Sequence, residues 1–517
     1  MLERFPPEIV RKIANNFNRH DFLECVQVNR SWRQHLPPYS SHLWKHVDIK
    51  THGHLVFLAQ TSCFGQYIDS CNIVKGDNDA LLHHALKRLQ GCHLQSLVID
   101  WFKIEDNKRL ADLLKNVRCE SLKFNGISGV CLDFIGIIMA ASEGDCLRHF
   151  GCHYDAMYPI LAFAENADMC PYPPPPPPLP IAQDLGLVSL ALTTQNLQAD
   201  WMDILQRCST TLQHIHIAVA DPISCHDIMS TCPQLQSMFI GEFAVPKTVE
   251  FPPSSSSDKQ GLRYFGHWGA CDDINAMKFV LEHQHTIEYL YLSTWVPVKV
   301  PSWSDLDSFQ STSLKTLVCA QMHECTPDTI ASLIRQSPNL ETVALYPVDH
   351  HSITDKIWHA LMNLDTLQHL SIHLEIWQYG DDRDQQWRAL IRRLGTITTL
   401  RKLELTALDG ANSDHLSQLF QVFHDMPLEK LRLLSIRELD DKALEALIPH
   451  APLMEILDIV DCPIVTTRGI KTLIDGLPKL RNATFSLARA QRMPAGVDDL
   501  ISFAKSKGIK LVLNRLL

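Results

Sequence analysis

The 517-residue sequence predicts an α/β solenoid, built from one strand and one helix per unit and preceded by a small all-α segment. Three observations predict it. A short pattern of apolar, two others, apolar, one other, apolar returns along the chain from residue 44 onward. Most successive starts of this pattern lie about 23 to 28 residues apart, a period typical of stacked strand-and-helix units. The intervening segments carry apolar residues at helical spacing, and several close with proline just before the next strand, where proline removes a donor the helix needs.

Composition narrows the function classes. Hydrophobic residues make up 45% and charged residues 20%, the mix of a folded chain with ample core. The formal net charge of −11, with no basic block of five or more, argues against direct nucleic-acid binding. No run of about 18 apolar residues occurs, and the opening Met-Leu-Glu-Arg-Phe-Pro-Pro-Glu lacks the regions of a signal peptide, so no membrane association is expected. The 16 cysteines include no C-x-x-C and read as reduced, buried thiols of a cytoplasmic or nuclear protein. The 26 histidines match no zinc spacing, and neither metal nor cofactor is expected.

Residues 4 to 36 read as three short helices. Pro6 and Pro7 suit a first helical turn, and Ile9, Val10, Ile13 and Phe17 follow at helical spacing. Asp21 can cap a second helix carrying Phe22, Leu23, Cys25 and Val28, and a third stretch carries Trp32 and Leu36. These apolar positions exceed what some thirty residues can bury internally, so they need a partner, or else they cap the first edge of the repeat array. The order and spacing Phe5-Pro6-Pro7-Glu8-Ile9, Ile13, Phe17, Asp21-Phe22-Leu23, Cys25, Val28 and Trp32-Arg33 resemble the F-box. The resemblance implies that residues 1–43 dock, through Pro6, Pro7, Ile9, Ile13, Phe17, Phe22, Leu23, Cys25, Val28 and Trp32, onto the Skp adaptor of a cullin–RING ubiquitin ligase.

Residues 44–517 hold the repeats. Clear copies of L-x-x-L-x-L are Leu94/Leu97/Ile99, Leu187/Leu190/Leu192, Leu212/Ile215/Ile217, Ile287/Leu290/Leu292, Leu340/Val343/Leu345, Leu367/Leu370/Ile372, Leu400/Leu403/Leu405, Leu431/Leu434/Ile436 and Met454/Leu457/Ile459. Weaker copies start at Trp44, Ile68, Cys119, Leu147, Leu235, Leu262, Leu314 and Leu480, with a last strand near Leu511 to Leu513. Thr326-Pro327-Asp328 opens a helix that runs through Ile330, Leu333 and Ile334 and stops at Ser337-Pro338. This is a leucine-rich-repeat solenoid, a horseshoe with parallel strands on the concave face and helices outside. The units around Leu457-Asp458-Ile459-Val460-Asp461-Cys462 and Ser352-Ile353-Thr354-Asp355 resemble the cysteine-containing repeat of F-box proteins. Two places break the rhythm. A Pro-rich insertion at about 168–183, with Pro173 to Pro178, reads as a surface loop or a polyproline segment that could dock a partner. Pro252-Pro253 followed by four serines replaces a helix.

Alternation along a strand points the apolar letters into the core and the residues between them toward the concave face. Those positions hold His214, His216, Phe239, Tyr264, Trp268, Tyr289, Tyr291, Tyr346, His369 and His373. Aromatic side chains offer large contact area with a polar handle, so residues 212 to 373 are the expected site for a protein substrate. A one-residue register slip would instead bury them. Few charges occupy this stripe, so partner binding is expected to depend weakly on salt. No phosphate-binding loop, dinucleotide fingerprint, nucleophile elbow or kinase signature occurs, and no catalysis is expected. The combined reading is a non-catalytic substrate receptor of an SCF-type ubiquitin ligase. The alternative is a repeat scaffold or interaction protein without a ligase role.

Overall fold

The computed structural model describes residues 5–17, 45–51, 68–76, 79–102, 106–127, 134–154, 184–193, 201–218, 224–241, 261–268, 276–294, 303–322, 327–346, 354–373, 383–406, 411–487 and 497–515. The Pro-rich and Ser-rich insertions and the second and third expected N-terminal helices lie outside these residues. Two compact units are present, Met1–Gly261 and Leu262–Leu517.

The first unit contains strands β1 (His46–Ile49), β2 (Ser70–Gly76), β3 (His93–Phe102), β4 (Arg118–Ile127), β5 (His149–Tyr154), β6 (Ser189–Thr193), β7 (His214–Ala218) and β8 (Ser237–Gly241). Its helices are α1 (Pro7–Ala14), α2 (Asp79–Leu89), α3 (Asn107–Leu114), α4 (Phe134–Ser142), α5 (Trp201–Cys208) and α6 (Cys225–Thr231). Each strand pairs in parallel with the next in sequence. The second unit contains β9 (Tyr264–Trp268), β10 (Tyr289–Thr294), β11 (Thr316–Met322), β12 (Thr342–Tyr346), β13 (His369–His373), β14 (Lys402–Thr406), β15 (Lys430–Leu434), β16 (Ile456–Val460), β17 (Asn482–Leu487) and β18 (Lys510–Arg515). Helices α7 (Ala276–Glu282), α8 (Pro327–Arg335), α9 (Asp355–Met362), α10 (Arg383–Thr396), α11 (Ser413–Gln421), α12 (Asp441–Leu447), α13 (Thr467–Gly476) and α14 (Val497–Ser506) connect them, with a short 3-10 turn, Trp303–Ser308, between β10 and β11. These strands also pair in parallel and in chain order.

Parallel neighbours require one crossover per repeat, and among the described residues most successive strands have a helix between them. Strands stack roughly 4.8 Å apart, whereas packed helices need about 8 to 10 Å, so within each unit the strand layer takes the inner side of any curve. The fold is therefore an α/β leucine-rich-repeat solenoid. The leucine positions form its core: Leu97, Ile215, Leu290, Val343, Leu370, Leu403 and Leu457 are each at most 1% exposed. Among the described residues the expected repeat starts lie in or just before a strand.

One register differs from expectation. Leu433, not Leu434, continues the core row, because Leu405 pairs with Leu433 and Thr406 with Leu434. The core letters of that repeat are thus Leu428, Leu431 and Leu433, at most 1% exposed, while Leu434 is half-buried on the opposite face. Two adjacent leucines satisfy the pattern equally well in sequence, and cross-strand pairing decides between them.

Side chains also stitch successive repeats. Thr211 Oγ1 donates to the Leu187 carbonyl at 2.8 Å and Thr366 Oγ1 to that of Leu340 at 2.7 Å, each fastening the start of one strand segment to the preceding one. On the helical side, Asp440 caps α12 through the Ala443 amide at 2.8 Å and accepts the Ser413 hydroxyl at the start of α11 at 2.8 Å. Asp441 accepts the Thr466 amide at 2.9 Å. Gly469 in α13 makes room for that contact, since a Cβ there would lie 2.6 Å from Asp441 Cγ and 3.2 Å from its Cβ. Gly→Ala in a helix interior ordinarily gains about 1 kcal/mol. Gly469→Ala is expected instead to lose about 1 kcal/mol, because the carboxylate must leave Thr466. A urea midpoint above wild type would disprove this account.

Candidate partner-binding surface

At the N-terminus, Pro6 precedes α1 with φ −55° and ψ 144°, and Pro7 takes the first helical position, where its missing N–H costs nothing. Val10 and Ala14 are buried at 3% and 0%, so one side of α1 is packed. Ile9 and Phe5 lie on the open side, 41% and 46% exposed, and Ile13 and Phe17 are half-buried. Phe22, Leu23, Cys25, Val28 and Trp32 lie outside the described residues.

In the second unit, register places the expected contact residues in rows that run across the strands, facing away from the leucine core. The first row reads Tyr264, Tyr289, Thr316, Thr342, His369, Lys402, Lys430, Ile456, Asn482 and Lys510. Alongside it run Gly266, Tyr291, Val318, Ala344, Ser371, Glu404, Arg432, Asp458, Thr484 and Val512. A third row holds Ser293 and Tyr346 beside Ala320, and His373 beside Thr406; Trp268 is the backbone partner of Ser293, and its side chain lies outside what the structure describes. Tyr264 and Tyr289 are in tilted contact, ring centroids 6.4 Å apart. Tyr346 and Ser371 share a hydroxyl hydrogen bond of 2.9 Å. Small Val318, Ala320 and Ala344 form a floor between the tyrosines of β10 and Tyr346.

Burial sets the protonation of these groups. Burial pushes the Tyr291 phenol up to about 12 and raises those of Tyr289 and Tyr346, with the neighbouring tyrosines adding to the effect on the first two. All three stay neutral and able to donate. Burial, together with Lys402 and Lys430, brings His369 down to about 4, leaving a neutral imidazole. Beyond residue 373 the face turns charged: Arg432 meets Glu404 at 3.4 Å and Lys430 meets Asp458 at 3.9 Å. The nearly uncharged stripe expected over residues 212 to 373 thus ends at β13, and a charged face continues from β14 to β16.

The first unit is arranged differently. Its corresponding row reads His46, Ser70, Ser96, Ser121, His149, Ser189, His214 and Ser237, all imidazoles and hydroxyls. His216 and Phe239 sit side by side in the next row, ring centroids 5.8 Å apart. Yet His214, His216 and Phe239 are 8%, 2% and 1% exposed, and all of β7 and β8 is buried. These residues occupy the positions expected of them but present little area to a partner. Burial lowers the pKa of His214, with His149 contributing.

Sequence reasoning missed two features. Arg263 forks onto Glu288 with bonds of 3.0 and 2.9 Å and lies over the Tyr264 ring at 5.6 Å, clamping β9 to β10 beneath the tyrosines. Opposite charges directly after the first core letter of two successive repeats, Arg263 after Leu262 and Glu288 after Ile287, were a visible signal. The second is His267, which takes a leucine position in the core at 3% exposure. Among the described residues no group of three His, Cys, Asp or Glu is placed to hold a metal ion, and no helix is long and apolar enough to cross a membrane.

No family model matches this chain, and no curated protein matches it. Among solved structures, a leucine-rich repeat-containing protein, LegL7 from Legionella pneumophila, is similar at 10% identity and a TM-score of 0.39, over 61% of this chain and 96% of that one. The yeast Rad7 and Elc1 complex is similar at 15% identity and a TM-score of 0.39, over 76% of this chain and 82% of the other.

Proposed function

We propose that this protein is a non-catalytic substrate-recognition subunit of an SCF-type E3 ubiquitin ligase. Residues 4 to 36 dock onto a Skp adaptor, and the inner sheet face of the repeats holds a protein substrate while other subunits perform the chemistry by proximity. The observation that carries the reading is the N-terminal segment. It resembles the F-box in order from Phe5 to Trp32, and α1 leaves Ile9 41% exposed while Val10 and Ala14 are packed. A large apolar side chain held in water on a short helix is what a docking face requires. What supports the substrate face is the second unit, where Tyr264, Tyr289, Tyr346, His369 and His373 are half-buried, although Tyr291, at 6% exposure, offers little area.

Co-purification with the Skp adaptor tests the docking. The Ile9→Asp/Trp32→Ala variant is expected to lose adaptor capture by tenfold or more, on the order of 2 kcal/mol for two apolar contacts made on docking. Undiminished capture would leave the chain as a repeat scaffold without a ligase role. Affinity capture under proteasome inhibition, with a variant lacking residues 1 to 40, is expected to enrich substrates that the full chain consumes.

A further inference from the structure

The following rests on the reading of the inner face as a substrate surface and adds the chemistry of what it takes. In the second unit the first row has no carboxylate at any of its ten positions, although the whole chain carries a formal charge of −11. Lys402 and Lys430 are register partners, so two ammonium groups rise from strands roughly 4.8 Å apart. Like charges directly opposite one another are destabilising, and an anion laid over them relieves the repulsion. The nearby carboxylates are already engaged: Glu404 with Arg432, and Asp458 with Lys430 at the long distance of 3.9 Å. Lys402 is exposed, and among the described residues no carboxylate lies within ion-pair distance of it.

Toward β10 the surface changes character. Thr316 and Thr342 continue the row with hydroxyls, and the half-buried neutral phenols of Tyr289 and Tyr346 border a floor of small residues with Tyr291 buried beside them. We propose that the face of β10 to β15 binds an extended acidic segment of a protein partner, laid across the strands with its carboxylates over Lys402 and Lys430 and an apolar end among the tyrosines. Crossing from Tyr289 to Lys430 covers about 24 Å, which an extended chain spans in roughly seven residues. The interleaved Glu404 and Asp458 disfavour a nucleic acid, whose continuous phosphates need uninterrupted cations; a peptide can place carboxylates and amide donors alternately. Recognition at this end is salt-dependent, unlike contacts confined to the tyrosines.

Fluorescence anisotropy of the full chain with a leucine-capped oligo-glutamate, and with its oligo-lysine counterpart, tests this. The oligo-glutamate is expected to bind and to weaken steeply with added salt, while the oligo-lysine does not bind. Lys402→Glu/Lys430→Glu is expected to weaken binding about tenfold, and Lys510→Glu, farther along the same row, to leave it unchanged. Lys402→Gln/Lys430→Gln keeps the aliphatic stems and serves if charge reversal unfolds the chain. No binding by wild type, equal binding by either double variant, or equal binding of oligo-lysine would overturn the proposal. Adaptor capture, measured on the same preparations, is expected to stay intact in the lysine variants. Its loss from wild type would remove the ligase reading without touching the peptide result.

Discussion

Leu433→Ala is expected to destabilise the second unit by about 2 to 5 kcal/mol, whereas Leu434→Ala, one residue along, costs less than about 1 kcal/mol. The two positions share a residue type, a strand and a local sequence. Leu433 is fully buried between Leu405 and Ile459, its register partners, so truncation there loses transfer free energy and leaves a cavity. Leu434 is half-buried beside Thr406 and Val460 on the face away from the core, where water can fill the space left behind. Urea unfolding of both variants decides the matter. Equal losses would mean that β15 is out of register, and with it the assignment of Lys430 and Arg432 to the inner face.

Acidification is expected to weaken the second unit in a window that His369 defines. Its folded pKa of about 4 lies below the ordinary 6.5, because burial and the cations Lys402 and Lys430 penalise the imidazolium. Above the ordinary value the ring is neutral in both states and the contribution is fully present. As pH falls from 6.5 toward 4, the unfolded chain takes up a proton that the folded one refuses, and stability declines. Discounted for the solvent that reaches this half-exposed residue, the loss is on the order of 1 to 2 kcal/mol. His369→Gln removes the titration, so its urea midpoint is expected to fall less than that of wild type across the same interval. Parallel curves for the two proteins would rule out His369 as the cause. An acidic segment seated over Lys402 and Lys430 would oppose the shift, so bound oligo-glutamate is expected to narrow the difference.

Much of this architecture was legible in the linear sequence because a repeat writes its geometry into a period. An apolar residue at every second strand position, returning every two dozen residues or so, can be buried only against a neighbour of the same kind, and that condition alone dictates parallel strands in chain order. Proline at Pro338, Pro452 and Pro478 marked where helices stop, since α8 and α13 end before the first and last of these and the 3-10 turn Ile448–His450 that follows α12 ends before Pro452. Alternation also assigned Tyr264, Tyr289, Tyr291, Tyr346, His369 and His373 to positions facing away from the leucines. A single strand's sequence, however, carries no information about what lies beside or above it. The choice of Leu433 over Leu434 needed a paired strand, the closure of His214, His216 and Phe239 needed the packing around β7 and β8, and the lysine pair became visible only when β14 and β15 were laid in register. Periodicity is a one-dimensional property and determines the face on which a side chain emerges. Exposure, charge pairing and pKa depend on atoms brought close by folding, and only the tertiary structure decided them.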